Sequence, residues 1–536
     1  MENVDDTEPT ASVDPMFTPT KLIDLGEGES DMPRLIATEK VEDIDAGDEQ
    51  FIYAALSYCW GPSSENLKTT NENLHQHSQG IEMESLPGAI RDAVVVCRAL
   101  SIRYLWVDAL CIVQDDEEEW RRESETMGDV YHSAWVTIAN LASSSSGVGF
   151  LQRSPHQATI PFRSHSSPNL SGFLQLTYEP NHIERQILDG GTHDYSIFDN
   201  HYATSAWNQR AWTHQENVLS SRLICFSQAT MAVRVKSVFF YEASLPSDCR
   251  VDDLDLVMAA VNSYCHASGD KQTFLERIYE DWYEFSCHYN MRKLTVETDK
   301  LVARSGFMNY ISGIIGDRNI FGLWENDLVR SILWTTTMPQ DGWLSFKNNL
   351  NDAWLPSWTP LRLNAFYESG TESFPLNYNI SRNALVHRCK ISALSNQHHR
   401  VDSATNQISH LELQGFLLSI SKCSIRRDYD RSWIIRIDKH TALNCEFDWR
   451  YRPKHDIGFY QLKCISLAMI ATSLSAKSSG GAEVIWGLIL LPNGISKEYW
   501  RVGVFSTYRP RRSKKGKITD CRKAFENGKL TEFYLV

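Results

Sequence analysis

After residue 50 the chain alternates between apolar runs typical of strands and amphipathic stretches typical of helices. FIYAALSYCWG (residues 51–61) is closed by Gly61-Pro62, which predicts a buried strand that ends in a loop. LPGAIRDAVVVCRAL (86–100) repeats apolar side chains at helical spacing, and Pro87 suits a first helical turn. A strand, a helix with an acidic first turn and a third strand follow in RYLWVDAL, EEEWRRESETMGDVYHSA and WVTIANLA. This order predicts a parallel α/β sheet with right-handed crossovers.

The carboxyl ends of these three predicted strands carry polar side chains. Ligands of open parallel sheets bind beyond such ends. The residues are Ser57, Tyr58 and Trp60 after the first strand, Asp108 and Cys111 after the second, and Asn140 and Ser143 after the third. We therefore expect a carboxylate and several hydroxyl and amide groups to converge in one crevice.

The pattern divides the chain into four predicted regions. Residues 1–50 hold fifteen acidic residues against Lys21, Arg34 and Lys40, which predicts an acidic, partly disordered N-terminal segment. Residues 51–227 form the α/β domain. Residues 228–350 are mainly helical in pattern, and residues 351–536 carry short β-like runs that predict a β-rich C-terminal region.

Composition and charge exclude several classes of protein. A net charge of −14 makes the average surface repel phosphate backbones, so we expect no nucleic-acid partner. The twelve cysteines form no CxxC pair, which favours reduced thiols in a cytoplasmic protein. The longest apolar run, 465–476, is too short to span a bilayer, and the N-terminus lacks a signal-peptide pattern, so we expect no membrane segment.

Motifs for nucleotide hydrolysis and metal binding are missing. The sequence has no GxxxxGK[ST], no GxGxxG after a strand, no HExxH and no GxSxG. The pairs His75-x-His77 and His398-His399 lie in polar contexts where solvated histidines are common. We therefore predict no metal site and no certain cofactor.

Single residues with chemical potential have two interpretations each. Asp108 lies in the apolar run LWVDAL and is either a site group with a raised pKa or a cap of the next turn. Cys111 has no basic neighbour in sequence, which favours a buried small thiol. Glu216, in WTHQENVLSSR, either faces the α/β domain or caps a solvated helix, and capping is preferred. Arg210 and Arg222 can form ion pairs with carboxylates, but surface ion pairs are so common that these two residues do not favour one function over another.

Tryptophans and a basic run are the other unusual features. Trp60, Trp106, Trp207 and Trp212 are predicted to be core or interface anchors rather than a ligand cage. Helical spacing predicts one buried side of the second helix, made by Trp120, Met127, Val130, Tyr131 and Ala134. The run RPRRSKKGK (509–517) is either a solvated loop or an anion-binding or nuclear-localisation patch, and the loop is preferred.

The succession of sequence blocks resembles the heterokaryon incompatibility (HET) domain of filamentous fungi. The blocks are YAALSYCWG, LPGAIRDAVVVCRALSIRYLWVDALCIVQDD, EEEWRRESETMGDVYHSAWVTIANLASSSSGVGFLQR and NQRAWTHQENVLSSRLICFS. The residues that match the family's pattern are Tyr53, Ser57, Trp60, Gly61, Leu86, Pro87, Trp106, Asp108, Cys111, Gln114, Asp115, Met127, Tyr131, Arg210, Trp212, Gln215, Glu216 and Arg222. Val113 stands where HET domains commonly carry Asn.

This resemblance implies non-self recognition, in which HET proteins trigger growth arrest or cell death when incompatible hyphae fuse. It also implies a fold similar to the TIR domain, which is a flavodoxin-like parallel sheet. TIR domains act as scaffolds or cleave NAD with a glutamate in a W-x-x-x-E setting. In this chain Trp120 is followed at that spacing by Ser124, with Glu123 and Glu125 on either side.

Two hypotheses of function follow. In the first, the protein is a cell-death effector that works by regulated association with a protein partner or with itself. In the second, it is a hydrolase similar to NAD glycohydrolases, with NAD as substrate. Its candidate catalytic residues are then Asp108, Glu123 and Glu125. A non-toxic paralogue with another signalling role is a further alternative.

Overall fold

The structure is a computed structural model, and it describes residues 17–28, 30–40, 51–62, 66–153, 157–164, 166, 170–177, 197–235, 238–242, 255–269, 271–334, 340–341, 355–362, 385–387, 390–394, 410–420, 424–427, 433–436, 442–450, 465–474, 483–506, 525 and 530–536. The chain divides into two units. The first unit comprises Met1–Asp255 and Arg292–Tyr310, and the second comprises Leu256–Met291 and Ile311–Val536. The pair His398-His399 and the basic run 509–517 lie outside the described residues.

The first unit is built on an eight-stranded mixed sheet. Its strands, in chain order, are β1 Lys21–Asp24, β2 Arg34–Ala37, β3 Tyr53–Ser57, β4 Tyr104–Trp106, β5 Val136–Asn140, β8 Arg222–Phe226, β9 Met231–Val235 and β10 Val238–Tyr241. Strands β6 Gln157–Arg163 and β7 Ser171–Thr177 form a separate antiparallel hairpin. The order across the sheet is β10-β9-β8-β5-β3-β4-β1-β2.

The predicted parallel strands form the centre of this sheet. Strands β3, β4, β5 and β8 pair in parallel, and all five residues of β3 and of β5 are buried. Burial on both faces is the reason that these strands are continuous apolar runs. The sheet is nevertheless mixed, because antiparallel strands extend it at both edges, β1 and β2 beside β4, and β9 and β10 beside β8.

Six described helices of the first unit precede the second unit in the chain. They are α1 Leu74–Gln79, α2 Gly88–Ala99, α3 Asp108–Cys111, α4 Glu117–Ser133, α5 Ile197–Thr204 and α6 Trp212–Leu219. Helix α4 begins at a cap in which the Asp116 side chain accepts from the Glu119 N–H, and Glu117 to Glu119 favour its first turn. Met127, Val130 and Tyr131 are buried as predicted, but Trp120 is 37% exposed. Trp120 was predicted on the buried side of α4, but it borders a pocket instead of packing into the core.

The second unit contains helices and further sheets. Its helices are α7 Asp255–His266, α8 Gln272–Asn290 and α10 Leu328–Ser331, while α9 Val302–Ile315 begins in the first unit and ends in the second. Its strands are β11 Asn319–Ile320, β12 Leu323–Trp324, β13 Gln340–Asp341, β14 Leu385–His387, β15 Lys390–Leu394, β16 His410–Ile420, β17 Ser424–Arg427, β18 Trp433–Arg436, β19 Ala442–Phe447, β20 Trp449–Arg450, β21 Ile465–Leu474, β22 Glu483–Pro492, β23 Glu498–Ser506 and β24 Leu530–Leu535. Strands β16, β21, β22, β23 and β24 pair successively, and β24 pairs again with β16.

Candidate functional site

A pocket of about 590 Å³ opens at the carboxyl ends of the parallel strands of the first unit. Its floor is formed by Cys59, Trp60 and Gly61 after β3, and by Asp108, Ile112 and Gln114 after β4. Trp120 and Met127 of α4, Ser144, Ala206, Arg210, Trp212 and Glu216 form the walls. Lys293, Leu294, Thr295 and Asp299 complete the lining. We call this cavity the Glu216 pocket.

The strand order explains why a pocket forms there. Strand β3 lies between β4 on one side and β5 on the other, although β4 and β5 follow it successively in the chain. The chain therefore crosses to opposite sides of β3, and the loops at its carboxyl end diverge and leave a crevice. Of the residues expected to converge from the ends of the first two strands, Trp60 and Asp108 line this cavity. Ser57, Tyr58 and Cys111 are buried and do not belong to its lining.

Glu216 is a buried carboxylate at the wall of this pocket. It lies on α6, where every residue from Thr213 to Leu219 is buried, and Glu216 itself is 7% exposed. The Ser57 hydroxyl donates a hydrogen bond to the Glu216 carboxylate. Trp207 Nε1 in turn donates to Ser57 Oγ at 2.6 Å. This chain of donors holds one carboxylate oxygen, so the carboxylate has a fixed position relative to β3.

The pKa of Glu216 is raised to about 7. Burial is the main cause, and the negative charge of Asp108 adds to it. The hydrogen bond from Ser57, the charge of Arg210 and the hydroxyl of Tyr131 act in the opposite direction. Near neutral pH the group is therefore present both as an acid and as a carboxylate, which suits proton transfer and the stabilisation of positive charge.

Asp108 is the second carboxylate of the pocket. Trp60 Nε1 donates to Asp108 Oδ2 at 2.7 Å, and the Ala109 N–H donates to Oδ1 at 2.7 Å. Burial raises the pKa of Asp108, although the Trp60 hydrogen bond and the charge of Arg210 lower it. Asp108 was interpreted either as a site group or as a cap of the next turn. The structure combines the two, because Asp108 begins the short helix α3 and also lines the pocket.

Arg210 places a positive charge near both carboxylates of the pocket. Its Nη1 donates to the Tyr58 carbonyl oxygen at 2.6 Å. Burial alone would lower the pKa of Arg210, but Cys59, Glu216 and Asp108 raise it overall, so the guanidinium stays cationic. This charge reduces the cost of burying Glu216 and Asp108 in their ionised forms.

Three tryptophans give the pocket an aromatic lining. Trp60, Trp120 and Trp212 all border the cavity. Trp60 is oriented by its bond to Asp108, and the Lys68 ammonium lies 4.8 Å from its ring centroid. Trp212 hydrogen-bonds to Asp299. Flat aromatic faces of this kind bind heteroaromatic rings by stacking.

The outer wall is contributed by a distant part of the chain, residues 293–299. The Ala211 N–H donates to the Lys293 carbonyl oxygen at 2.9 Å, and the Lys293 N–H donates to the Gln209 carbonyl oxygen at 2.5 Å. Arg292 Nη2 donates to Asn208 Oδ1 at 2.6 Å. Further along this segment, Gly306 of α9 packs on Gly128 of α4, where an added Cβ would lie 2.7 Å from the Gly128 Cα.

The structure places the family-pattern residues in four settings. Trp60, Gly61, Asp108, Gln114, Met127, Arg210, Trp212 and Glu216 line the pocket, with Ser57 and Tyr131 directly behind Glu216. Tyr53, Leu86, Trp106 and Cys111 belong to the hydrophobic core, and Gln215 is buried outside the cavity lining. Pro87 precedes the first turn of α2. Asp115 accepts from Asn71, and Arg222 lies over the ring of Trp135, both outside the pocket.

The two glutamates that flank Ser124 do not reach the pocket. Glu125 pairs with Arg121 at 3.3 Å on the exposed side of α4. Glu123 is buried, but it accepts from the Thr20 hydroxyl at 2.9 Å, and Thr20 directly precedes β1. Val113, which replaces the family's Asn, donates its N–H to Glu119 Oε1 at 2.8 Å.

Cys111 is not positioned for thiolate chemistry. Its side chain is 1% exposed, and burial raises its pKa to about 12. The Val107 N–H donates to its sulfur at 3.4 Å, which helps to close α3. Cys111 therefore behaves as a small core residue.

The preferred interpretation of the sequence missed the position of Glu216 in the pocket lining, although the sequence carries a signal for this residue. Trp212 and Glu216 are separated by three residues, WTHQE, which is the W-x-x-x-E spacing that the family resemblance associates with NAD cleavage. Both residues line the pocket. Lys293 and Asp299 have no comparable local signal.

The described part of the chain has neither a cluster of metal ligands nor a membrane-spanning helix. It contains no group of three or more His, Cys, Asp or Glu side chains arranged to hold a metal ion. None of its helices is long and apolar enough to cross a bilayer.

These features define an α/β domain with a polar, aromatic pocket at the carboxyl edge of its parallel strands. The model of the family Heterokaryon incompatibility protein (HET) matches residues 53–216, which begin with β3 and end at Glu216. Residues 53–216 therefore resemble the HET domain, and this match supports involvement in heterokaryon incompatibility. No curated protein and no solved structure matches the chain.

Proposed function

We propose that the HET domain is a TIR-like hydrolase that cleaves the bond between nicotinamide and ribose in NAD, with Glu216 as the catalytic carboxylate. The observation that carries this proposal is the buried Glu216 side chain at the wall of an aromatic-lined pocket of about 590 Å³. That volume lies within the range of pockets that bind small molecules and cofactors.

The chemistry requires stabilisation of a developing positive charge. As the bond from ribose C1′ to the pyridinium nitrogen breaks, both bonding electrons go to nicotinamide, and the ribose acquires oxocarbenium character. The ionised Glu216 carboxylate stabilises this charge. Water then forms the new bond to C1′, and its proton leaves to Glu216 or to solvent. The products are nicotinamide, ADP-ribose and one proton.

The neighbouring residues have distinct parts in this mechanism. Ser57 and Trp207 position Glu216 through their hydrogen bonds. Trp60, Trp120 and Trp212 offer stacking surfaces for the two base rings of the substrate. Asp108 adds a second negative charge near the reacting carbon. Consumption of NAD in a fused cell would cause the growth arrest or death expected of incompatibility.

The test is nicotinamide release from NAD by the purified full-length chain. Glu216→Gln is expected to lower kcat at least a thousandfold, because the amide retains the shape of the side chain but carries no charge. Glu125→Gln is the matched control, since its side chain is exposed outside the pocket, and its rate is expected to match that of the wild type. Wild-type protein that is folded yet releases no nicotinamide would refute the proposal, as would an unaffected Glu216→Gln variant.

A second candidate function is association with a protein partner or with another copy of the chain. The β6–β7 hairpin favours it, because Ile160, Phe162, Leu170 and Phe173 are 45%, 38%, 57% and 75% exposed. The strand register places Ile160 and Phe162 on one face of the hairpin and Phe173 on the other, so both faces expose apolar side chains, which are typical of interaction sites when they are extensive. Phe173→Ser is expected to reduce self-association in light scattering or capture of a partner from an incompatible strain. Ile495→Ser, at an isolated exposed position, is the control.

A further inference from the structure

We propose that Lys293 selects phosphate-bearing substrates, because its ammonium pairs with the phosphate oxygens of a nucleotide whose cationic glycosidic end lies at Glu216. This inference rests on the proposed function and names the substrate class of the same pocket. Lys293 lies outside residues 53–216, so the family match does not include it.

The backbone of Lys293 is fixed in the pocket wall. Its N–H and carbonyl groups bond to Gln209 and Ala211 on the two sides of Arg210, at 2.5 Å and 2.9 Å. The preceding Arg292 anchors the same segment through Asn208. The side chain therefore projects from a defined point, although it is itself exposed.

The charge of Lys293 is not neutralised by the parts of the first unit that the structure describes. Its Nζ donates to Gln209 Oε1 at 2.9 Å, which is a neutral amide oxygen, and Lys293 forms no ion pair within those residues. Arg210, the other cation of the lining, differs because the charges of Glu216 and Asp108 act on it. The ammonium of Lys293 is thus a cation of the pocket lining that can pair with an anionic group of a ligand.

The pocket carries charges of both signs. Glu216 and Asp108 are carboxylates beside the ends of β3 and β4, whereas Lys293 brings an ammonium to the wall formed by residues 293–299. Asp299 lies in the same wall, and its carboxylate accepts a hydrogen bond from Trp212. A complementary substrate carries a positive charge at its glycosidic base and negative charges further along. A pyridinium nucleotide has this arrangement, but the corresponding nucleoside lacks the phosphates.

The experiment compares NAD with nicotinamide riboside in the full-length chain. Lys293→Gln is expected to raise KM for NAD about tenfold or more with kcat nearly unchanged, because a hydrogen bond between two charged groups is lost. KM for nicotinamide riboside is expected to stay the same. Lys293→Arg should retain affinity for NAD. Lys271→Gln is the matched control, because Lys271 is an exposed lysine of the second unit that lies over the Tyr264 ring.

Equal changes of KM for both substrates, or no change for either, would overturn the inference while leaving hydrolysis itself established. If neither substrate is cleaved, the proposed function fails, and binding provides a separate readout. Quenching of tryptophan fluorescence by ADP-ribose should then be about tenfold weaker in Lys293→Gln than in the wild type, and weaker still in high salt. Equal or absent binding in both proteins would refute the role of Lys293.

Discussion

Each unit of this protein places an arginine near a buried carboxylate, but the two arrangements differ in what surrounds them. In the second unit, Arg501 is 0% exposed, and its Nη1 donates to Asp448 Oδ2 at 2.6 Å. Its remaining donors bond to the carbonyl oxygens of Ile332 and Trp334, and the guanidinium lies 3.5 Å from the centroid of the Trp334 ring. In the first unit, Arg210 and Glu216 border a pocket.

The two carboxylates differ in what stabilises their negative charge and in whether they border a cavity. Burial raises the pKa of Asp448 to about 6, but Arg501 bonds to it directly and keeps it ionised at neutral pH. Glu216 accepts a hydrogen bond from the hydroxyl of Ser57, and burial raises its pKa to about 7. A carboxylate that is buried, neighboured by a cation and open to a cavity retains the freedom to exchange a proton with a ligand.

The largest effect is expected from breaking the enclosed pair. Arg501→Met leaves the Asp448 carboxylate buried without its cation, which should lower the free energy of unfolding by about 3–5 kcal/mol. Urea denaturation of the full-length chain, followed by tryptophan fluorescence, measures this loss. Arg318→Met is the control in the same unit, because Arg318 is half exposed and its pair with Glu325 is worth about 0–1 kcal/mol.

A double substitution sharpens this first test. Arg501→Met combined with Asp448→Leu removes both charges and should recover much of the lost stability, because an apolar pair incurs no desolvation cost. Equal losses for Arg501→Met and Arg318→Met would contradict the assignment of a structural role to the enclosed pair.

The second effect concerns the pH dependence of stability through Glu216. Its pKa is about 7 in the folded protein against an ordinary value of 4.5, so between these pH values the folded state holds a proton that the unfolded state has lost. Stability from this group is present below pH 4.5 and is lost as the pH rises to about 7, by roughly 3 kcal/mol at 1.4 kcal/mol per pKa unit.

Glu216→Gln removes this dependence. The stability of the wild type relative to the variant should therefore fall between pH 4.5 and pH 7 and stay constant above that range. Urea midpoints across the pH range measure the difference, with Glu118→Gln on the exposed side of α4 as the control. A constant difference between wild type and Glu216→Gln would show that the carboxylate is not protonated in the folded protein.

The smallest effect is expected at the surface pair of α4. Glu125→Ala removes an exposed contact with Arg121 four residues earlier, which is worth about 0.3–0.5 kcal/mol. Thermal unfolding should shift by no more than a degree or two, and nicotinamide release should not change. A large loss of hydrolysis in this variant would move the catalytic role from Glu216 to the outer face of α4.

The centre of the sheet was predictable from the sequence, whereas its edges were not. Strands β3 and β5 are buried on both faces and are therefore continuous apolar runs. Strands β1 and β2 have four residues each and come from the acidic N-terminal segment, where charge density predicted disorder. The buried Asp24 carboxylate bonds to Arg34 and to Arg103, so part of that acidity is neutralised by long-range contacts.

The candidate site was predictable where its residues follow the central strands, and it was not predictable where they come from other parts of the chain. Asp108 and Trp60 were expected at strand ends, and they meet in one hydrogen bond. Glu216 was interpreted as a helix cap because a single helical turn gives no information about what it faces. Lys293 reaches the pocket through backbone pairing with residues more than eighty positions earlier, a contact for which local sequence carries no signal.

The wall formed by residues 293–299 has a consequence for how such a domain can be inherited or transplanted. Arg292–Tyr310 belongs to the first unit, yet in sequence it is flanked on both sides by residues of the second. A gene fusion that carries the HET region alone would deliver a cleft with one side open. Recombination that exchanges this region must therefore keep two separate stretches of sequence compatible.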